Sequence, residues 1–234
     1  MHLVVVCSYF WILDSGFWLL IMKIGIFGGT FDPIHIGHLR VAGEFAAAFG
    51  LEKVLMMVAA TPPHRDTPVA SPEDRLQMVK LAVQDYSLLE ASDIELVRKG
   101  PSFTLDTVKE VREIAEGALI WMALGGDAYA LIRSWHRPED VLAQAHLVVL
   151  TRPGYLVDLM APLPEGISRR YTLSGEIYVH DSGATLRALP VSPLDVSSSM
   201  IRKAVSEGDS IRDLVTEEVL QYILQKGLYR PETT

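Results

Sequence analysis

The stretch from Lys23 to Phe49 most narrowly limits what this chain can fold into. The short apolar run Lys23–Phe27 predicts a buried β-strand, and a glycine-rich turn follows it. Ile36–Phe49 then has the apolar spacing of a helix, and Gly50 is placed to end it. Further apolar runs alternate with helical patterns along the chain. This alternation predicts βαβ units, and therefore an α/β fold with a parallel sheet.

End signals place several other elements. Ser71 and Pro72 are typical of the N-cap and first position of a helix, and Thr216 is placed to cap a last helix that ends before Gly227. The segment Gly154–Pro190 has weak periodicity, so we expect a surface excursion with one strand near Ile177–Val179. No linker divides the chain into two domains. Three more buried strands are predicted, at Val54–Val58, Leu119–Leu124 and Leu147–Leu150.

Composition narrows the class of protein. The chain has 234 residues, of which 49% are hydrophobic, and this suits one domain with a sizeable core. The net charge of −8 argues against a nucleic-acid partner, which usually requires a basic patch. Cys7 is the single cysteine, so neither a disulfide within the chain nor a cysteine zinc site is available. A reducing, cytoplasmic setting is the simplest expectation.

Residues 1–21 differ from the rest of the chain. They are strongly apolar and contain no Lys or Arg, so a signal peptide is not indicated. A membrane anchor would place Asp14 near the centre of the bilayer, at a cost of roughly 2.5–3.5 kcal/mol. We expect residues 1–21 to be an upstream extension and residues 22–234 to form the domain, with Met22 as the natural start. A membrane anchor and an extra packed element are the alternatives.

The turn after the first predicted strand has the features of a phosphate-binding loop. Gly28 and Gly29 lack a Cβ, so a phosphate can approach the backbone amides closely. Thr30 adds a hydroxyl donor, and the following helix offers free N–H groups at its positive end. The alternative for these residues alone is an ordinary glycine-rich turn.

Two histidines stand at the predicted start of that helix. His35 and His38 are three residues apart and would share one helix face, where their rings can donate hydrogen bonds to phosphate oxygens as negative charge develops. Gly37 between them leaves room for a nucleobase or ribose against the backbone. The competing interpretation is a pair of surface histidines without a role.

The full motif, Gly25-Ile-Phe-Gly-Gly-Thr-Phe-Asp-Pro-Ile-His-Ile-Gly-His38, resembles that of the H-x-G-H nucleotidyltransferases. Within that superfamily the chain resembles the bacterial nicotinate-nucleotide adenylyltransferases from Lys23 to about Tyr229. Two departures stand out: Ser199 replaces the usual Thr, and Gly154–Pro190 is longer than is typical. The stretches that carry the narrower resemblance are Thr61–Arg65, Asp74–Met78, Ser102–Thr107, Gly125–Asp127, Trp135–Arg137, Thr151–Tyr155 and Ser197–Arg202.

The resemblance implies one Rossmann-like nucleotidyltransferase domain, with helices on both faces of the parallel sheet. It also implies that ATP and nicotinate mononucleotide give nicotinate adenine dinucleotide and pyrophosphate, a step of NAD biosynthesis. The acceptor phosphate would attack the α-phosphorus directly, so positioning and charge stabilisation would carry catalysis. Mg²⁺ is expected as the cofactor, bound mainly through the ATP phosphates rather than by a protein metal site.

The resemblance also assigns roles on the ATP side. His35 and His38 would bind the phosphates and the developing charge, Thr30 would orient a phosphate, and Arg202 would clamp the β- and γ-phosphates. Ser198 and Ser199 would bind anions at the start of a helix. The competing interpretation for Ser198 is a plain N-cap.

On the acceptor side each implied role has a structural alternative. Asp127 would accept hydrogen bonds from a ribose or cap a helix, and Trp135 would stack on the pyridine ring or be an ordinary buried aromatic. Thr104 would hold the nicotinate carboxylate or cap a helix. His64 and Arg65 would approach the nucleotide, or belong to a mobile, proline-stiffened loop without that role. The remaining histidines, His2, His136, His146 and His180, are expected to have no catalytic role.

Three other functions stay open. The same chemistry could act on nicotinamide mononucleotide or phosphopantetheine. A class I aminoacyl-tRNA synthetase relative would share His35–His38, although the chain is short and lacks a K-M-S-K-S loop. A catalytically silent nucleotide sensor is the third. No membrane partner is expected, and the oligomeric state is left open.

Overall fold

The computed structural model describes residues 21–60, 68–98, 102–154, 157–192 and 194–231. Within them the strands are β1 (Lys23–Gly29), β2 (Lys53–Val58), β3 (Leu89–Ser92), β4 (Leu119–Gly125), β5 (His146–Thr151), β6 (Tyr171–Ser174), β7 (Ile177–His180) and β8 (Thr185–Pro190). The helices are α1 (Ile36–Phe49), α2 (Pro72–Val83), α3 (Ile94–Val97), α4 (Thr104–Ile114), α5 (Gly126–Ala130), α6 (Pro138–Gln144), α7 (Glu165–Ser168), α8 (Ser198–Glu207) and α9 (Glu217–Lys226).

The strands form one mixed sheet in the order β3-β2-β1-β4-β5-β8-β7-β6. Every pair from β3 to β8 is parallel, whereas β7 runs antiparallel to both β8 and β6. The predicted parallel sheet is therefore confirmed for the six strands from β3 to β8. An antiparallel hairpin of β6 and β7, of which the sequence predicted only β7, extends one edge.

Helices cover both faces of the sheet, as the resemblance implied. On one face, Phe27 and Met56 pack with residues of α1, α2, α8 and α9. On the other face, Ile26 and Met122 pack with residues of α4, α5 and α6. The alternation of side chains along each buried strand divides the core between these two layers.

Helix α1 lies unusually close to β1. A Cβ at Gly25 would come within 2.8 Å of both Leu51 Cδ1 and Phe45 Cε1, so only glycine allows this approach. The helix has the predicted bounds and ends at Gly50, which has a φ of 59°.

The predicted helix caps are confirmed. The Ser71 side chain accepts a hydrogen bond from the Asp74 amide at the start of α2. The Thr216 side chain does the same for the Val219 amide at the start of α9, which ends at Gly227.

The prediction for Gly154–Pro190 was right for the strand expected near Ile177–Val179, which is β7, but wrong in treating the rest of the segment as a surface excursion. This part of the chain contributes three strands, and β8 lies inside the main sheet next to β5. Leu186 of β8 is fully buried. The local pattern of β8 is weak because Leu186 is the one buried residue of the strand, which ends at Pro190, so pairing with β5 rather than periodicity defines the strand.

The predicted extension falls almost entirely on residues 1–20, which lie outside the described residues. The described fold starts close to the proposed start, because the Met22 carbonyl already accepts a hydrogen bond from the Leu119 amide. The division into an extension and a domain stays a prediction.

Candidate active site

A cavity of about 1000 Å³ opens at the carboxyl ends of β1, β4 and β5. This edge of a parallel sheet is where α/β proteins commonly bind ligands, because loops and helix N-termini converge there. Eight of the predicted residues line the cavity: Gly28, Gly29, Thr30, His35, Gly37, His38, Ser198 and Arg202.

The two glycines of the loop have different roles in packing. A Cβ at Gly29 would come within 2.8 Å of the Phe31 ring, so the aromatic side chain requires glycine there. A Cβ at Gly28 would meet no protein atom within 4 Å, and Gly28 lines the cavity. The space beside Gly28 therefore suits a ligand that approaches the backbone.

The two histidines stack on each other at the start of α1. His35 is the N-cap, and its ring centroid lies 3.7 Å from that of His38 with an interplanar angle of 24°. The backbone amide of His35 donates to Nδ1 of His38 at 3.3 Å. Because that Nδ1 accepts, a neutral His38 carries its proton on Nε2 and can donate it to a phosphate.

Burial sets the charge of His35. Its side chain is 8% exposed, and desolvation lowers its pKa to about 4. At neutral pH the ring is therefore an uncharged hydrogen-bonding group. Gly37 permits this packing, since a Cβ there would lie 3.0 Å from both His35 Nδ1 and Val196 Cγ1.

Helix α8 brings a second group of polar side chains to the cavity. Its N-cap is Ser197, whose side chain accepts from the Met200 amide, so the alternative role of Ser198 as N-cap was wrong. Ser198 instead donates to the Pro33 carbonyl at 2.9 Å and joins α8 to the entry of α1. Ser199 is exposed, and its hydroxyl lies 3.0 Å from that of Ser197.

Arg202 lies one turn further along α8 and lines the cavity. Its Nη1 donates to the Asp32 carbonyl at 2.7 Å. The guanidinium is thus anchored to the loop that carries the histidines, with its remaining N–H groups available for an anion. The sequence placed this residue far from the first motif, and the fold brings the two together.

Two buried charged residues support the loop and were not predicted. Asp32 is 4% exposed and accepts hydrogen bonds from the amides of Val69 and Ala70. Arg75 is fully buried and donates to the backbone carbonyls of residues 30, 59 and 60. The available signal for Arg75 was its position on the apolar face of α2, at helical spacing from Met78 and Val79.

Other cavity residues were also missed. Arg152 follows β5 and lines the cavity beside Thr151, and Val191, Leu194 and Val196 contribute from the segment before α8. A signal for Arg152 did exist, since it lies in the Thr151–Tyr155 stretch that carried the resemblance. Tyr155 itself lies outside the described residues.

The described residues predicted to bind the acceptor do not line the cavity as most of those predicted to bind ATP do. Thr104 is the first residue of α4, Asp127 is exposed in the first turn of α5, and Trp135 is partly buried against the core on that face of the sheet. None of these three is among the described residues that line the cavity, although Gly125 is. His136 stacks on Phe103 with centroids 4.4 Å apart.

Two predicted acceptor residues, His64 and Arg65, lie outside the described residues. In the part of the chain that is described, no three His, Cys, Asp or Glu side chains cluster in a way that could hold a metal ion. Likewise, none of the described helices is both long and apolar enough to cross a membrane.

Comparison with known proteins identifies the class first. A family model described as cytidylyltransferase-like matches residues 26–204, which include the glycine loop, both histidines and Arg202. The chain belongs to this family, and so to the nucleotidyltransferases that the fold and the cavity indicated.

Individual relatives narrow the assignment. A probable nicotinate-nucleotide adenylyltransferase of Pseudomonas fluorescens is 41% identical over 209 residues, which cover 89% of this chain and 97% of the relative. One of Trichlorobacter lovleyi is 40% identical and matches over 100% of its length and 90% of this chain. The chain belongs to the nicotinate-nucleotide adenylyltransferases. Coverage this complete argues against the aminoacyl-tRNA synthetase alternative.

Solved structures agree on the fold. The Plasmodium falciparum nicotinic acid mononucleotide adenylyltransferase complexed with NaAD superimposes with a TM-score of 0.66 at 18% identity, over 89% of this chain and 97% of that one. At this level of identity the likeness bears on the architecture alone.

Proposed function

We propose that this chain transfers the adenylyl group of ATP to nicotinate mononucleotide, giving nicotinate adenine dinucleotide and pyrophosphate. The observation that carries the proposal is the pairing of the stacked histidines with Arg202 around one cavity at the sheet edge. Relatives about 40% identical over nearly their whole length carry the corresponding name. The membership of the family and the composition of the cavity thus point to the same reaction.

The chemistry needs little from the protein beyond placement. An oxygen of the acceptor phosphate attacks the α-phosphorus of ATP, the bond from that phosphorus to the bridging oxygen breaks, and pyrophosphate leaves with the electron pair. The nucleophile is already an anion, so no general base is required. The enzyme must instead bring two anions together and stabilise the charge that develops on the phosphoryl oxygens.

The described residues suit that task. His38 can donate from Nε2, and His35 is kept neutral at pH 7 by burial, so His35 acts as a fixed hydrogen-bonding group rather than as a titrating acid. Thr30 and the space beside Gly28 would receive a phosphate at the start of α1. Arg202 would hold the β- and γ-phosphates, with Ser198 and Ser199 at the start of the same helix.

The acceptor would lie towards α4 and α5. Thr104 begins α4, where free amides favour a carboxylate, and Asp127 follows the strand end that borders the cavity. Trp135 would stack on the pyridine ring, and His64 and Arg65 would complete this side. Because Thr104, Asp127 and Trp135 are not among the described residues that line the cavity, we expect the acceptor to bind in a neighbouring subsite.

We expect Mg²⁺ to arrive on the ATP phosphates. Asp32, the carboxylate in the cavity wall, already accepts hydrogen bonds from Val69, Ala70 and Tyr229, so it is poorly placed to serve as a metal ligand. The cavity therefore fits a metal held by phosphate and water. When bound, the ion would neutralise charge on the triphosphate. A cytoplasmic location remains part of this proposal, on the evidence of the cysteine content.

Pyrophosphate release tests the proposal. With ATP and Mg²⁺ present, nicotinate mononucleotide should support release at least about tenfold faster than nicotinamide mononucleotide or phosphopantetheine. Neither of these two acceptors carries the nicotinate carboxylate, so the polar groups proposed to bind it would be left unpaired. Equal rates with the acid and the amide would contradict the choice of acceptor. ATP binding without release for any acceptor would favour the silent sensor.

A further inference from the structure

The Asp32 carboxylate is the most heavily hydrogen-bonded side chain of the cavity wall. Its Oδ2 accepts from the Val69 amide at 2.8 Å, and its Oδ1 accepts from the Ala70 amide at 3.1 Å. The Tyr229 hydroxyl also donates to Oδ1, at 2.8 Å. A buried carboxylate needs such donors to offset its lost hydration, and here three donors from two separate parts of the chain supply them.

Arg202 contacts the backbone of Asp32 but makes no hydrogen bond to its carboxylate. Its Nη1 donates to the Asp32 backbone carbonyl at 2.7 Å, whereas the distance from Nη1 to the carboxylate Oδ2 is 3.8 Å. The second distance is too long for a hydrogen bond. Arg202 is therefore anchored beside a carboxylate whose Oδ1 already accepts two hydrogen bonds, so that a two-bond pairing with the guanidinium, which needs a free position on each oxygen, is blocked.

Tyr229 reaches this place from the far end of the chain. It follows α9, lies 197 residues from Asp32, and falls outside the residues that the family model matches. Its backbone φ of +64° is one that residues other than glycine rarely adopt. Phe31, next to Asp32, likewise has a φ of +50°. Backbone strain of this kind persists only where the surrounding contacts enforce it, and it is often found near functional sites.

We propose that Tyr229 is a positioning residue for ATP, whose hydroxyl engages Asp32 so that Arg202 stays available to the triphosphate. This inference rests on the proposed role of Arg202. Burial beside Asp32 raises the pKa of Tyr229, which keeps its hydroxyl protonated and able to donate.

The consequence of removing the hydroxyl follows from the geometry. Without it, Oδ1 keeps only the Ala70 amide, and the carboxylate gains an unused acceptor position. An arginine fork and a carboxylate prefer a paired arrangement with one hydrogen bond to each oxygen, and Arg202 Nη1 already lies 3.8 Å from Oδ2. The guanidinium would then turn towards Asp32 and away from the phosphates.

The test is Tyr229→Phe, which removes one oxygen and keeps the ring. We expect affinity for ATP and Mg²⁺, titrated without acceptor, to fall about tenfold, the scale of one hydrogen bond to a charged group. The KM of nicotinate mononucleotide should change less than about twofold, because the phosphate clamp, not the acceptor subsite, is disturbed.

Tyr222→Phe is the matched control. The Tyr222 hydroxyl donates to the Asp74 carboxylate at 2.7 Å, so the same chemical change is made at a second tyrosine–aspartate pair, outside the residues that line the cavity. Affinity for ATP should be unchanged in this variant. An equal loss in both variants would overturn the proposal, because it would indicate general destabilisation.

A double-variant comparison separates positioning from a structural role. In an Arg202→Gln background, Tyr229→Phe should change ATP affinity less than about twofold, since the group through which Tyr229 acts is gone. A full tenfold loss in that background, or no loss in the wild-type background, would refute the proposal. These titrations need no turnover. Failure of the adenylyl transfer assay would therefore leave them interpretable, and the two proposals can fail separately.

Discussion

Two histidines at opposite ends of the sheet, the buried His35 and the half-buried His146, make an instructive comparison. His35 lies at the carboxyl end, in the wall of the cavity, and His146 is the first residue of β5, at the amino end. Burial lowers the pKa of each to about 4, with a further contribution from Arg187 and Lys23 for His146. On the shift in pKa alone the two residues would be equal candidates for a functional role.

Their surroundings differ. His146 stacks on Trp121 with centroids 4.4 Å apart, and its Nδ1 lies 3.0 Å from the Thr185 hydroxyl and accepts from the Thr185 amide. Trp121 in turn stacks on Phe49. His146 is thus held within an aromatic stack, whereas His35 borders space for a ligand. A lowered histidine pKa therefore indicates only that the ring is buried. A functional site is indicated by the adjoining cavity and by the hydrogen-bond donors that line it.

The largest expected effect is on turnover in His38→Ala. Loss of one charge-stabilising donor should lower kcat at least about 100-fold. Thermal unfolding checks that the variant is folded, and steady-state pyrophosphate release measures the loss. Near-normal turnover would mean that the histidines at the carboxyl end of the sheet are no more important for catalysis than His146 at the amino end.

A smaller effect is expected from Gly37→Ala. The new Cβ would lie 3.0 Å from His35 Nδ1, so the ring must shift by a few tenths of an ångström, and kcat should fall about tenfold. Gly43→Ala is the control on the same helix, because a Cβ at Gly43 meets nothing within 4 Å. That variant should be active and stabilised by about 0.5–1 kcal/mol, the difference in helix propensity. Equal activity of the two variants would mean that the position of His35 does not matter.

The smallest effect on turnover is expected for His146→Phe, which keeps the stack and should change kcat less than about twofold. Its effect is on stability. A histidine whose pKa falls on folding binds more protons in the unfolded state, so stability is full above pH 6.5 and is lost as the pH falls towards 4.

Each of the two histidines should account for up to about 3 kcal/mol of that loss. Denaturant titrations between pH 7 and pH 4 should therefore show a flatter decline in the free energy of unfolding for His146→Phe than for the wild type. Identical declines would show that His146 does not titrate as its burial suggests.

Much of the site could be predicted because its signals are local. The glycine loop, His35, Gly37 and His38 lie within one strand–turn–helix unit, and their spacing alone places them together. The caps at Ser71 and Thr216 are equally local, since each involves a residue and an amide three positions further along. Backbone geometry over one turn fixes such relations whatever surrounds them.

What the sequence left undetermined depends on distant partners. The alternation of strands and helices determined an α/β fold with a parallel sheet, but only the tertiary structure placed β8 beside β5 and so made Thr185–Pro190 part of the core. Burial by packed neighbours, rather than local sequence, gives His35 and His146 the same lowered pKa. The contact between Asp32 and Tyr229 spans 197 residues, and no local pattern encodes it. The sequence by itself therefore determined the strand–turn–helix unit that lines the cavity, and long-range packing decided which groups hold it in place.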